Sequence, residues 1–140
     1  MAEEVDLFNI TNPTTIGAGD VIDGIVVSAR NGGTRVNCLS RIIIKTGGVK
    51  YYGATYNHTN TWVYIPDETW LLNPNTGLAW TLADINALQI GVGLTSAEIS
   101  TRRYPTYSTW MKLVVTFHTP TTTGLINKFN RRHMLPGFGG

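Results

Sequence analysis

The chain has 140 residues, of which 42% are hydrophobic and 14% are charged, whereas a typical soluble domain carries about 25% charged residues. This length suits one domain with a sizeable hydrophobic core, so a stabilising metal ion or disulfide is not required. Threonine (20 residues), glycine (15) and asparagine (11) far outnumber lysine (4). Because strands favour threonine and turns favour glycine and asparagine, the composition argues against a helical bundle and a disordered chain and favours an all-β fold.

The single cysteine, Cys38, cannot form an intramolecular disulfide, which favours a reducing compartment. The chain opens with acidic residues instead of a basic segment, and no apolar run approaches the length of a membrane span. We therefore expect synthesis in a cytoplasm, without a signal peptide and without a membrane partner.

The net charge of +2 conceals a segregation of charge along the chain. Residues 1–29 carry five acids and no base, and residues 30–50 carry five bases and no acid. Residues 51–100 then carry four acids and no base, and residues 101–140 carry six bases and no acid. Two interpretations remain open: the charges pair across neighbouring strands, or the acidic and basic ends attract other copies or other surfaces.

Turn residues interrupt any periodicity in residues 1–19, which predicts an N-terminal arm. Dense β-branched residues predict a strand over 20–30, and Asn31-Gly32-Gly33 predicts a hairpin turn after it. Alternating apolar residues predict the next strand over 34–46.

The following turns predict a meander. Gly47-Gly48 leads into a strand over 49–57, and a polar turn leads into a strand over 61–65 that Pro66 is predicted to end. These connections are too short for a parallel crossover, so the strands are predicted to be antiparallel.

Thr81 and Asp84 form a capping pattern, which predicts a helix of about two turns. Glycines alternate with apolar residues over 90–94, which predicts a strand with a close backbone approach or a bulge. A long strand is predicted over 107–118, where clean alternation places six residues on one face: Tyr107, Thr109, Met111, Leu113, Val115 and Phe117.

Together these elements predict an all-β fold, an antiparallel β-sandwich of jelly-roll-like kind with one short helix and extended terminal arms. A closed barrel is the less favoured alternative. The predicted organisation is an arm over 1–19, a sandwich domain over 20–118, and a linker with a C-terminal arm over 119–140.

The C-terminal arm is more apolar than a solvated tail needs to be, and it is basic as well. We interpret it as a segment that becomes ordered on another subunit, the alternative being a flexible end. Its predicted contact residues are Leu125, Ile126, Phe129, Arg131, Arg132, Met134, Leu135 and Phe138.

Groups for catalysis are scarce in this sequence. The three histidines lack the spacing of a zinc site, and Asp67-Glu68 are adjacent, so a strand would point them to opposite faces. No phosphate-binding glycine motif is present. We expect no enzymatic activity, no metal and no cofactor. Basic residues in the C-terminal region can attract phosphate groups without specificity, but nucleic acid is an unfavoured partner.

Aromatic residues crowd the middle of the chain. Such rings commonly fill the interior of a sandwich or a subunit interface, and in β-sandwich lectins they stack on sugars. The interior or interface is the favoured interpretation, and a glycan site is the alternative. The candidate glycan contacts are Trp62, Tyr64 and Trp70.

One segment resembles virion proteins of tailed bacteriophages. It has the form Asn-Pro-x-Thr-Gly-x-x-Trp-Thr over 73–81, followed by a short helix and Ala-Leu-Gln-x-Gly-Val over 87–92. Residues 16–23 and 44–48 also resemble that family, and the resemblance extends over roughly residues 13–118. It implies a non-enzymatic β-sandwich on a virus particle, and the chain departs from the pattern after Thr119.

The residues and the resemblance together predict a virion structural protein. The favoured form is a capsid decoration protein that binds the major capsid protein and forms homo-oligomers through its terminal arms. A tail, neck or head-fibre component is the nearest alternative, and a carbohydrate-binding receptor module is the alternative from another class.

Overall fold

The computed structural model describes residues 2–121, and they form an all-β sandwich with one short helix, which confirms the predicted fold class. Two antiparallel sheets face each other, so the strands do not close into one barrel. The elements in chain order are β1 (Glu4–Asn9), β2 (Val21–Gly33), β3 (Leu39–Thr46), β4 (Val49–Tyr52), β5 (Tyr56–Asn57), β6 (Trp62–Trp70), α1 (Leu82–Ala87), β7 (Gln89–Thr95), β8 (Ala97–Ile99), β9 (Arg102–Tyr104) and β10 (Thr106–His118).

The larger sheet has the strand order β1-β7-β3-β4, and the short β5 also pairs with β3. The smaller sheet has the order β10-β2-β6, and β8 and β9 form a separate hairpin. The core lies between the two sheets, where the alternate residues of β2, β3 and β7 that face inward are buried, as expected for strands with one covered face. The main inward residues of these strands are Ile25, Val27, Ala29, Ile42, Ile44, Ile90 and Val92.

Helix α1 begins as its sequence predicted. The Thr81 hydroxyl accepts from the Asp84 amide at 3.1 Å, and the Asp84 carboxylate accepts from the Thr81 amide at 3.0 Å. This reciprocal pair satisfies two amides that the first helical turn leaves free. Ile85 is fully buried, so the short helix gains its stability by covering the sandwich interior.

The predicted hairpin at Asn31-Gly32-Gly33 is wrong, because all three residues continue β2. β2 pairs with β10 and β6, while β3 belongs to the other sheet. The chain therefore crosses between sheets after Gly33, and the predicted strand over 34–46 begins only at Leu39. Asn-Gly-Gly has turn chemistry, but here the glycines serve close packing: a Cβ on Gly33 would overlap the Cys38 side chain.

Pro66 does not end its strand either, since β6 runs through it to Trp70. β6 lies at the edge of the smaller sheet, where the missing amide of proline interrupts no essential ladder. The turn predicted at Gly47-Gly48 is confirmed, with positive φ angles of 58° and 79°.

The structure corrects the boundary of the predicted N-terminal arm, because Glu4–Asn9 is a strand paired along its length with β7. Its approach to β7 depends on glycine: a Cβ on Gly91 would overlap the Asp6 carbonyl oxygen. Beside it, the Glu3 carboxylate crosses over Gly93 to form a bidentate ion pair with Arg41, at 2.6 and 2.8 Å. The alternating glycines over 90–94 therefore mark a close backbone approach, one of the two predicted possibilities.

Replacement of Gly91 by alanine should destabilise the fold by about 2 kcal/mol, because the added methyl group forces β1 away from β7. Urea unfolding followed by circular dichroism measures this change. Gly19→Ala is the matched control, because a Cβ there meets nothing within 4 Å. Equal stability of the two variants would contradict the assigned close approach.

Candidate binding surface

Aromatic side chains cover part of the outer face of the smaller sheet, and the first group is centred on Gly32. In the strand register Gly32 lies between Tyr107 of β10 and Trp62 of β6. A Cβ on Gly32 would lie 2.7 Å from the Trp62 ring, so the indole rests directly against the glycine backbone. The Trp62 and Tyr107 rings stack with centroids 5.9 Å apart. Because Gly32 has no side chain, the Trp62 indole can pack flat against the backbone of β2 at this position.

The second group is centred on Arg30, which lies between Trp110 and Tyr64 in the register. The Trp110 and Tyr64 rings meet edge to face at 5.6 Å. The Arg30 guanidinium carbon is 5.5 Å from the Trp62 ring centroid and 6.0 Å from that of Tyr64. These distances permit cation-π attraction, so Arg30 joins the two groups into one surface.

A bulge in β10 is what brings Tyr107 and Trp110 to the same face. The register shifts between Ser108 and Trp110, and the Thr109 hydroxyl donates to the Arg30 carbonyl at 3.2 Å. Without the extra residue, side chains three positions apart would point to opposite faces. The predicted grouping of Tyr107 with Met111 is therefore wrong, although Met111, Leu113, Val115 and Phe117 do share the inner face.

We call Trp62, Tyr64, Tyr107, Trp110 and Arg30 the aromatic face. Its rings are well exposed, with accessible fractions of 43% for Trp62, 69% for Tyr64, 45% for Tyr107 and 42% for Trp110. Exposed large rings together with arginine are typical of the energetically important residues at protein interfaces. Next along β10, Lys112 adds a second positive charge on the same side.

The structure brings together only two of the three predicted glycan contacts. Trp62 and Tyr64 share the aromatic face, but Trp70 lies on the inner side of β6, opposite Ile25, and packs against the core. The Trp70 carbonyl accepts from the Trp80 indole at 3.0 Å. The assignment of Trp70 to the glycan site is thus corrected, because the register shift within β6 changes which residues face outward.

A small cleft of about 90 Å³ adjoins Trp62. Threonine, asparagine and glycine line it beside the two stacked rings, so hydroxyl and amide groups stand next to an apolar platform. The lining residues are Gly32, Gly33, Thr34, Asn60, Thr61, Trp62 and Tyr107.

The predicted contact residues of the C-terminal arm, from Leu125 to Phe138, lie outside the described residues. Sequence reasoning missed three members of the aromatic face as a group. The alternation along β10 predicts Tyr107 on the face of Met111, and nothing in the sequence connects Trp110 or Arg30 with it. No local pattern reveals such a cluster, since its members come from three strands that are distant in sequence.

A buried polar cluster resembles part of a hydrolase site, yet it is closed to substrate. The Ser40 hydroxyl is 2.8 Å from His58 Nε2 and accepts from the Asn31 side-chain amide at 3.0 Å. Ser40 is 1% exposed, and His58 and Asn31 are fully buried. Burial lowers the pKa of His58, so the imidazole is neutral in the folded protein at neutral pH.

Stability should therefore fall as the pH drops from about 7.5 to 5.5, because unfolded His58 takes up a proton near its ordinary pKa of about 6.5 while the buried ring resists protonation. The contribution of the neutral His58 ring to the free energy of unfolding is complete above this pH range, and it is lost as the pH falls toward the lowered pKa of His58 in the folded state. Urea unfolding at several pH values measures the effect. His58→Gln should flatten the pH dependence. A slope that survives His58→Gln would contradict this assignment.

Among residues 2–121, no group of three or more histidine, cysteine, aspartate or glutamate side chains could hold a metal ion. Within the same part of the chain, no helix has the length and apolar character needed to cross a membrane. No family model, curated protein or solved structure matches the chain.

Proposed function

We propose that the protein is a non-enzymatic structural component of a bacteriophage virion, most specifically a capsid decoration protein that binds the shell through its aromatic face. The observation that carries the binding role is the cluster of four exposed rings around Arg30 on one sheet face. The virion setting comes from the resemblance of residues 13–118 to phage structural proteins.

The aromatic face suits a protein partner for two physical reasons. The rings offer a large apolar area, and their mutual packing orders them before binding, so less side-chain entropy is lost on association. Arg30 and Lys112 add positive charge, which favours a partner surface that combines apolar groups with carboxylates. A shell of repeated subunits presents the same surface many times, so one kind of interface can place many copies of the protein on a particle.

Replacement of both Trp62 and Trp110 by alanine should reduce incorporation into particles about tenfold or more, because buried interface tryptophans each contribute about 2 kcal/mol. Quantitative mass spectrometry of gradient-purified particles measures the copy number. Leu78→Ala is the matched control, since Leu78 is 69% exposed outside the aromatic face. Particles that lack the wild-type protein altogether would contradict the virion proposal, and undiminished incorporation of the double variant would exclude the aromatic face as the contact.

The cleft beside Trp62 favours a second candidate, a carbohydrate-binding receptor module. A flat indole supported by Gly32 can stack on the apolar face of a sugar, and the neighbouring threonine and asparagine side chains can bond its hydroxyls. In this case the ligand would be a glycan on the surface of the host cell.

Under this second candidate, Trp62→Ala together with Tyr64→Ala should abolish binding on a glycan array. Tyr52→Ala is the matched control, because it removes a ring of 47% exposure from the other sheet. Absence of any glycan signal for the wild-type protein would exclude this function, and a signal equally lost in the control would show that binding does not use the aromatic face.

A further inference from the structure

A cleft runs between the two sheets on the side where β1 and β10 are edge strands. Its two parts, of about 390 and 450 Å³, share Ile10, Ile90 and Met111 and are therefore continuous. No residue of β2, the neighbour of β10, lines either part. The cleft thus opens along the free edge of β10, away from β2.

Most of the residues that line the cleft are apolar, and several of them are incompletely covered. The inner residues of β10 are only half-buried, namely Met111, Leu113, Val115 and Phe117. The corresponding inner residues of β2, such as Ile25 and Val27, are fully buried. On the opposite wall Phe8 of β1 is 53% exposed. Apolar surface of this kind, continuous with the core, gains free energy when a further apolar segment covers it.

Charge and backbone both limit what could occupy the cleft. Asp6 is the one charged residue that lines either part within the described chain, and Glu4 lies on the same face of β1, two residues away. β1 and β10 are both sheet edges, so their outer backbone groups can pair with an added extended strand. A fitting occupant is therefore extended, apolar and basic.

Residues 125–138 of this chain have that composition. They combine six apolar side chains with Lys128, Arg131 and Arg132, and they contain no acid. Their proline-free part, 125–135, would extend about 36 Å as a strand, close to the roughly 43 Å of β10.

The exit of the chain from β10 favours a segment from another molecule. His118 Nδ1 is 3.0 Å from the Asp23 carboxylate, and the Thr119 hydroxyl bonds to Asp20 at 2.5 Å. Both partners lie at the start of β2, on the side of β10 opposite its free edge. Residues 118 and 119 are therefore held on the β2 side of β10, away from the edge along which the cleft opens.

We propose that this cleft receives residues 125–138 of a second copy of the chain, so that copies are joined by exchanged C-terminal segments. The inference rests on the proposed function, because it names the contact through which virion subunits would hold one another. Its physical basis is burial of the apolar cleft, with ion pairs from the basic side chains to Asp6 and Glu4.

Disulfide trapping between two full-length variants tests the exchange. One chain carries Phe8→Cys, the other carries Phe129→Cys and a tag that changes its mass, and the mixture is oxidised gently. The expected product is a covalent heterodimer formed about tenfold more than with the control pair of Val49→Cys and Phe129→Cys. Val49 is similarly exposed but lies on β4, at the far side of the larger sheet. Cys38 is buried and is retained in every chain.

The doubly substituted chain, Phe8→Cys with Phe129→Cys, distinguishes exchange from self-docking. Exchange yields covalent dimers and higher species, whereas a segment docked on its own sandwich yields a cross-linked monomer of altered mobility. A cross-linked monomer, or yields equal to those of the control pair, would overturn the proposal.

A charge reversal gives independent evidence on the same contact. Arg131 would lie on the same face of an extended segment as Phe129, so Arg131→Glu should shift the sedimentation profile toward monomer, and added Asp6→Arg should restore the larger species. An unchanged profile in the first variant, or no restoration in the second, would contradict the assigned ion pairs.

The two proposals fail separately in these experiments. Trapped heterodimers from a protein that is missing from virions would uphold the exchange and overturn the virion function. A virion protein that gives no trapped heterodimer would retain its function and lose the exchange.

Discussion

The inward packing of β2 against β3 and β7 is the contact on which the rest of the structure depends. β2 is the central strand of the smaller sheet, and its inner side chains Ile25, Val27 and Ala29 are wholly buried. Each fully buried isoleucine or valine contributes about 1.5–3 kcal/mol. Because the inner face of β2 is committed to this core, its other face must point to solvent, and that is where Arg30 and the aromatic rings stand.

At two further positions of the sheets the chain requires glycine, because a side chain there would overlap a neighbouring group. Gly32 supports the Trp62 ring, and Gly91 admits β1 to the edge of the larger sheet. Both residues lie within strands, where glycine lowers intrinsic stability. Both glycines act on the shape of the molecule. Gly32 allows the flat Trp62 ring to lie on the outer surface, and Gly91 allows β1 to pair with β7, where β1 forms one wall of the inter-sheet cleft.

Local chemistry made several elements predictable. The Thr81 and Asp84 cap, the Gly47-Gly48 turn and the alternation of inner residues along β10 each depend on neighbours within a few positions. The same reasoning erred at Asn31-Gly32-Gly33 and at Pro66. Turn residues there lie inside strands, because the glycines are needed for close packing and the proline stands at a sheet edge.

The sequence by itself determined that this is an all-β chain with short turns and one capped helix, since periodicity and turn residues act locally. The sequence also identified Trp62 and Tyr64 as candidate binding residues, since they lie two positions apart on one strand and so share a face. Only the tertiary structure decided that Tyr107, Trp110 and Arg30 join them and that Trp70 does not. The physical reason is register: an extra residue in β10 and another in β6 each reverse which side chains face outward, and register is established by pairing between strands far apart in the chain.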